Sequence, residues 1–132
     1  MANKEYADKN KAWLAQKAQE PGVKALDKGI YYKVLNSGKP DAPRPGRGSV
    51  VVAHYTGRTI NGKKFDSSRG GAPLAARLRE LIPGWGIALC NMHVGDKWEV
   101  YIPAEMGYGR FSQPGIPGGS TLIFEIELMG VG

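Results

Sequence analysis

Cysteine is nearly absent from this chain: Cys90 is the only one in 132 residues. No disulfide can form within the chain, so packing and hydrogen bonds must hold the fold. Histidine is scarce as well, with only His54 and His93. A structural zinc site needs four ligands, and one cysteine with two histidines falls short unless carboxylates complete the set. Cys90 and His93 are therefore read as a small buried thiol and a helix-end imidazole, and no metal or other cofactor is expected. There is no run of about eighteen apolar residues, which excludes a membrane-spanning helix. The opening stretch MANKEYADKNKAWLAQKAQE lacks the apolar core of a signal peptide. The expected location is the cytoplasm, or the periplasm if the chain is a processed or trimmed form.

Several familiar chemistries are missing too. There is no G-x-S-x-G elbow, no phosphate-binding Walker loop and no G-x-G-x-x-G after a strand. HYTG and FDSS contain histidine, aspartate and serine, but nothing in the sequence brings them together as a triad. The net charge is +6, yet the lysines and arginines are scattered, with short runs only at Lys63–Lys64 and around Arg77 and Arg79. A nucleic-acid binder would concentrate them in a stripe, so that class is not expected.

What the chain has in quantity is glycine and proline, 19 and 9 residues, which imply many turns and loops. Residues 3–19 predict a helix, stopped by Pro21–Gly22, with a thin apolar stripe of Tyr6, Trp13 and Leu14. A helix this short is marginal alone in water, so it either docks on its own domain or a second copy, or it frays. The expected division is a helical extension over 1–21 and a globular domain over 22–132.

From Gly29 the period changes to two. IYYKVL, SVVVAHYTGRT, KFDSS, KWEVYIP and STLIFEIELMGV alternate or are rich in β-branched and aromatic residues, as strands are. Asn61–Gly62 supplies a hairpin turn. Leu81, Trp85, Ala88 and Met92 recur every three or four residues, predicting one short helix of about three turns. Two long loops, GKPDAPRPGRG and AEMGYGRFSQPGIPGGS, interrupt the pattern. The fold class expected is α+β, with one helix packed on one face of a curved antiparallel sheet.

Tyr55, Phe65, Trp85, Tyr108, Phe111 and Phe124 all lie beside turns. Any one of them alone reads as core. Asp66 directly follows Phe65, and a carboxylate there must face solvent or a donor. Tyr108 sits between Gly107 and Gly109, where a hydroxyl is easily aimed outward. Apolar walls with a few placed polar groups describe a small binding pocket.

Together, VVAHYTGRTINGKKFDSSRG, LIPGWGIALCNMHVGDKWEVYIP, GYG and IPGGSTLIFEIEL resemble the FKBP-type peptidyl-prolyl cis-trans isomerases, over about Gly29 to Val131. The resemblance implies a five- to six-stranded antiparallel half-barrel wrapped around one short helix. It implies proline-containing polypeptide substrates, with macrolides of the tacrolimus and rapamycin type as further candidate ligands. On this resemblance Trp85 is the pocket floor, Tyr55, Phe65 and Phe124 are its walls, and Leu81–Ile82 is the segment that hydrogen-bonds ligands. Asp66 and Tyr108 match the polar groups assigned to catalysis, and Ile116 matches an apolar residue over the proline. The alternative is a peptide-binding or holdase-like chaperone of the same fold with little isomerase activity.

Two departures stand out. Many family members carry a phenylalanine on the strand before the ligand-binding segment, where Ala75 or Ala76 falls here. A histidine that others carry in the last loop is replaced near Gln113. The N-terminal part resembles bacterial members whose helical extension dimerises, which makes a homodimer through this helix an expectation to test.

Overall fold

The computed structural model describes residues 3–132. The chain begins with helix α1, Lys4–Lys17, shorter at both ends than the sequence predicts. Asn3 sets its start: the side-chain oxygen accepts a hydrogen bond from the Tyr6 N–H at 3.1 Å, satisfying one of the donors a helix leaves unpaired. Seven strands follow: β1 Val23–Ala25, β2 Tyr31–Asn36, β3 Val50–Arg58, β4 Lys64–Ser67, β5 Leu74–Arg77, β6 Lys97–Ile102 and β7 Leu122–Val131. A second helix, α2, spans Pro83–Leu89 between β5 and β6. The sheet order is β1-β2-β6-β7-β3-β4, with β5 also paired to β3. Every pairing is antiparallel.

The α+β half-barrel around one short helix is the architecture expected, with one strand more. That strand, β1, is three residues of Val-Lys-Ala with no alternation to reveal it, and it exists by pairing with β2. Helix α2 is also shorter than its spacing suggests. Proline is well placed in a first turn, and Pro83 starts the helix after Ile82, so Leu81 lies in the preceding segment instead of on the helix. At the other end the chain tightens into i→i−3 turns, Asn91 to Ala88 and Met92 to Leu89, which still deliver Met92 fully buried.

The core lies between α2 and the concave face of the sheet. Leu122, Phe124, Ile126 and Leu128 of β7 all point into it and are essentially buried. Val51 and Ala53 of β3 and Val100 and Ile102 of β6 complete it. The approach of α2 is close. A Cβ on Gly84 would fall 2.5 Å from the Ile102 side chain, so glycine is required for this helix to seat against β6.

Alternation would put Tyr101 on the outer face, yet it is 1% exposed. Helix α1 covers it. Trp13 packs edge-on against Tyr101 at 5.9 Å, and the Lys17 ammonium lies over both rings. The docking is also polar. Asn10, 1% exposed, accepts from the Thr121 N–H at 2.7 Å and donates to the Tyr6 carbonyl at 2.8 Å. The Tyr6 hydroxyl is 2.9 Å from Ser120 Oγ. The N-terminal helix is thus tied to the sheet and to the root of the last long loop.

A buried N–H that loses its acceptor costs about 1–3 kcal/mol. Asn10→Ala is expected to destabilise the fold by that amount, read as a lower urea midpoint at unchanged slope. A change below about 0.5 kcal/mol, the scatter of ordinary surface substitutions, would mean that α1 does not dock in this way.

Candidate functional site

One cavity, of about 320 Å³, opens between α2 and the curved end of the sheet. Trp85 forms its floor. The residue is 4% exposed and sits in the first turn of α2, where Pro83 and Gly84 bring the helix hard against β6. Phe124 from β7 meets it edge-to-face at 5.4 Å, and Tyr55 from β3 meets it at 5.2 Å. Phe65 from β4 stands edge-on to Phe124 at 5.6 Å. Such perpendicular pairs are favoured by the ring quadrupoles, each worth about 0.5–1.5 kcal/mol beyond the area buried. The four rings therefore hold one another in place around an apolar space.

Gly57 makes this cluster possible. A Cβ there would lie 2.5 Å from Phe65 and 2.7 Å from Phe124, so the two rings occupy the volume a side chain would need. The glycine of the Tyr55-Thr56-Gly57 run is a steric requirement of the wall.

Polar groups ring the opening. The Tyr55 hydroxyl donates to Asp66 Oδ2 at 2.6 Å, and the Ser67 N–H donates to Asp66 Oδ1 at 2.9 Å. Both oxygens of this exposed carboxylate are thus engaged. Partial burial, reinforced by the bond to Asp66, pushes the Tyr55 hydroxyl up to about 12. It is therefore a neutral donor throughout the physiological range. Tyr108, 37% exposed, lines the cavity from the loop after β6. Its loop is pinned by the Gly109 N–H donating to the Ala104 carbonyl at 2.7 Å and the Gly119 N–H donating to the Gly109 carbonyl at 2.9 Å. Gly109 has φ +63°, the left-handed conformation that turns the chain just past Tyr108. Among the described residues, the main-chain N–H of Ile82 donates to nothing, while its carbonyl starts α2. It remains available at the cavity edge.

Eight of the nine candidate residues meet in this lining: Tyr55, Phe65, Asp66, Leu81, Ile82, Trp85, Tyr108 and Phe124. Ile116 does not. It is 5% exposed, packs with the core, and borders a separate small cavity beside Tyr6 and Thr59. The cause is local: Gln113 and Ile116 bridge each other in a tight turn, which folds Ile116 inward. Two lining residues were missed, Leu74 and Glu80. Leu74 is the informative one. The wall expected at Ala75 or Ala76 is supplied instead by Leu74, since Ala75 is exposed and neither alanine lines the cavity. Its signal was present, as the one large apolar residue of APLAAR. Ala75 points to the opposite face of the strand, whereas Ala76 shares Leu74's face two residues further on and falls outside the lining.

Comparison with known proteins agrees with this fold. Residues 42–129 match the family model for FKBP-type peptidyl-prolyl cis-trans isomerase, and residues 1–34 match the domain amino-terminal to it. The chain belongs to the FKBP-type peptidyl-prolyl cis-trans isomerase family. It is 43% identical over 124 residues to the Escherichia coli FKBP-type isomerase FkpA, covering 93% of this chain and 45% of FkpA. It is 40% identical over 127 residues to the isomerase Mip of Coxiella burnetii, covering 95% of this chain and 54% of Mip. The chain thus spans about half the length of these curated relatives. Among solved structures, a peptidyl-prolyl cis-trans isomerase from Pseudomonas syringae pv. tomato superposes with TM-score 0.91 at 37% identity, covering 99% of this chain and 97% of that one. The FkpA crystal structure gives 0.86 at 41% identity, covering 96% and 61%. No helix among the described residues is long and apolar enough to cross a membrane.

The Tyr55 environment can be checked by alkaline titration of the phenolate absorbance. Its raised value means that the fold favours the neutral hydroxyl. The stability this contributes is complete below the ordinary tyrosine value of about 10 and is lost as pH rises through about 12. Tyr101, likewise buried and bonded to Glu99, also titrates late. Late ionisation is expected at both Tyr55 and Tyr101, and Tyr55→Phe should remove one of these two late steps. A Tyr55 that ionises in the ordinary range would contradict its burial together with its bond to Asp66.

Proposed function

We propose that the chain catalyses cis-trans isomerisation of Xaa-Pro bonds in polypeptides, using the aromatic cavity around Trp85. The observation that carries this reading is an apolar box of four mutually braced rings with polar groups only at its mouth. The reaction suits such a box because it breaks no covalent bond. The barrier of about 18–20 kcal/mol is lost amide resonance. Both isomers of an Xaa-Pro bond are accessible, yet exchange takes roughly tens to hundreds of seconds unaided. The planar amide is polar and well solvated, whereas the twisted amide has localised electrons and gains less from water. Apolar walls that strip the solvent therefore disfavour the planar form more than the twisted one.

In this reading the proline ring rests on Trp85, between Tyr55, Phe65 and Phe124. The Ile82 N–H and the Tyr108 hydroxyl donate to carbonyls flanking the bond and hold the chain bent. Asp66 orients the Tyr55 hydroxyl and shapes the field at the mouth, with no proton transfer required. Lowering the barrier by about 4 kcal/mol would accelerate exchange roughly a thousandfold. The same cavity would accept macrolides of the tacrolimus and rapamycin type. Leu74, smaller than a phenylalanine, gives such ligands and bulky residues before proline a reduced wall.

Dimerisation through α1 rests on the resemblance to bacterial members. The apolar residues of α1, Trp13 and Leu14, are engaged with the chain's own sheet, so a dimer would have to use its polar outer face. A sedimentation series that shows only monomer would remove that proposal.

The activity is tested by two-dimensional NMR exchange on a short Xaa-Pro peptide with substoichiometric protein. Faster exchange is expected for the wild-type chain. Tyr108→Phe should slow it by about tenfold, one lost hydrogen bond to a developing polar centre. Trp85→Ala should abolish it, while Asp66→Ala should weaken it with the fold intact by circular dichroism. Shifted resonances without faster exchange would sink the isomerase reading in favour of a holdase-like binder.

A further inference from the structure

Leu81 and Ile82 form a ridge with the aromatic cavity on one side only of it. On the other side the same two residues line a second, larger cavity of about 520 Å³. Ile87 and Met106 extend its apolar floor, and both are partly buried. Its rim carries Lys28, Arg47 and Arg79 against a single carboxylate, Asp27. None of the three cations forms an ion pair among the described residues. The nearest acidic residue of the ridge, Glu80, lines the aromatic cavity instead and lies 3.9 Å from Arg77.

Two residues here are less stable choices than the fold requires. Gly86 lies inside α2, where alanine is the better helix former, and a Cβ there would meet nothing within 4 Å. Packing does not demand this glycine; its absent side chain keeps the groove open. Lys28, at φ 61° and ψ 29°, is the one non-glycine residue with positive φ among the described residues. Its positive φ belongs, with that of Gly29, to the turn that joins β1 to β2, and the turn leaves the lysine on the rim of the open groove.

We propose that this groove is a second subsite for the polypeptide client. It takes a flanking segment carrying acidic and apolar side chains while the proline occupies the aromatic cavity. The proposal rests on the isomerase reading and adds a substrate preference to it. Continuity through Leu81 and Ile82 lets one extended chain lie across both cavities. The unpaired cations select acidic flanks, and the apolar floor accepts aliphatic side chains between them. Because the groove lies off the reacting bond, it affects binding more than turnover.

The test compares a short proline peptide with longer ones carrying a Glu-Leu-Glu or Lys-Leu-Lys flank. The flank is joined on either side through about three to five residues, roughly 10–17 Å of extended chain. With the wild-type chain the acidic flank should lower KM about three- to tenfold relative to the basic one, at equal kcat. The difference should shrink at about 0.5 M salt. Arg47→Glu with Arg79→Glu should erase or invert the preference. Gly86→Leu, which fills the groove, should erase it while leaving the short peptide unaffected. Cys90 also lines the groove and is the only thiol, so the acidic-flanked peptide should slow its reaction with a disulfide reagent. Equal KM for both flanks on either side of the proline, with no protection of Cys90, would overturn the proposal. If even the short peptide is not turned over, the isomerase reading falls, and protection of Cys90 alone decides whether the groove binds acidic chains.

Discussion

The seating of α2 against β6 is the contact on which the rest of the site depends. Gly84 has no room for a side chain beside Ile102, and Pro83 fixes where the helix begins. Trp85 is thereby driven into the concave face, where Tyr55 and Phe124 meet it edge-on. A tryptophan between two glycines is unexpected in a core helix. Of the two glycines, only Gly84 is required by packing, since a Cβ on Gly86 would meet nothing within 4 Å.

The walls obey the same economy of space. Gly57 lacks a side chain so that Phe65 and Phe124 can lean over the strand, and these rings in turn confine Trp85. An apolar box of this kind stays empty of strong donors and acceptors except at its rim. There Asp66 is already satisfied by Tyr55 and Ser67, and the Ile82 N–H is not. A site that must strip water from an amide without reacting with it is served by this division between a dry interior and a few fixed donors.

Outside the half-barrel, α1 does more than cap an edge. Asn10 and Tyr6 bond to Thr121 and Ser120, where the loop that carries Tyr108 rejoins the sheet. The loop is therefore anchored at its root by the N-terminal helix and within itself by the bonds at Gly109. Fully satisfied buried polar contacts of this sort specify one docking geometry, where a thin apolar stripe would tolerate several.

Most of the sheet was legible in the chain itself, because alternation along β3, β6 and β7 is a local property and one concave face buries it. The resemblance picks out the cavity aromatics and Asp66 as a set; nearness to turns alone also includes Phe111, which is 77% exposed and outside the cavity lining. What needed the tertiary structure was everything set by contact between distant segments. The three residues of β1 are a strand only because β2 is beside them, and Tyr101 is buried only because α1 crosses it. Leu74 faces the cavity because its pairing with Ala53 fixes the register of β5, which turns Ala75 to the opposite face and sets Ala76, on Leu74's own face, beyond the cavity lining. Ile116 turned inward through a bridge within its own loop. The sequence by itself determined which residues prefer strands, turns and apolar surroundings. Only the folded chain decided which of them share a wall, since that depends on register and close approach, to which no short window of residues is sensitive.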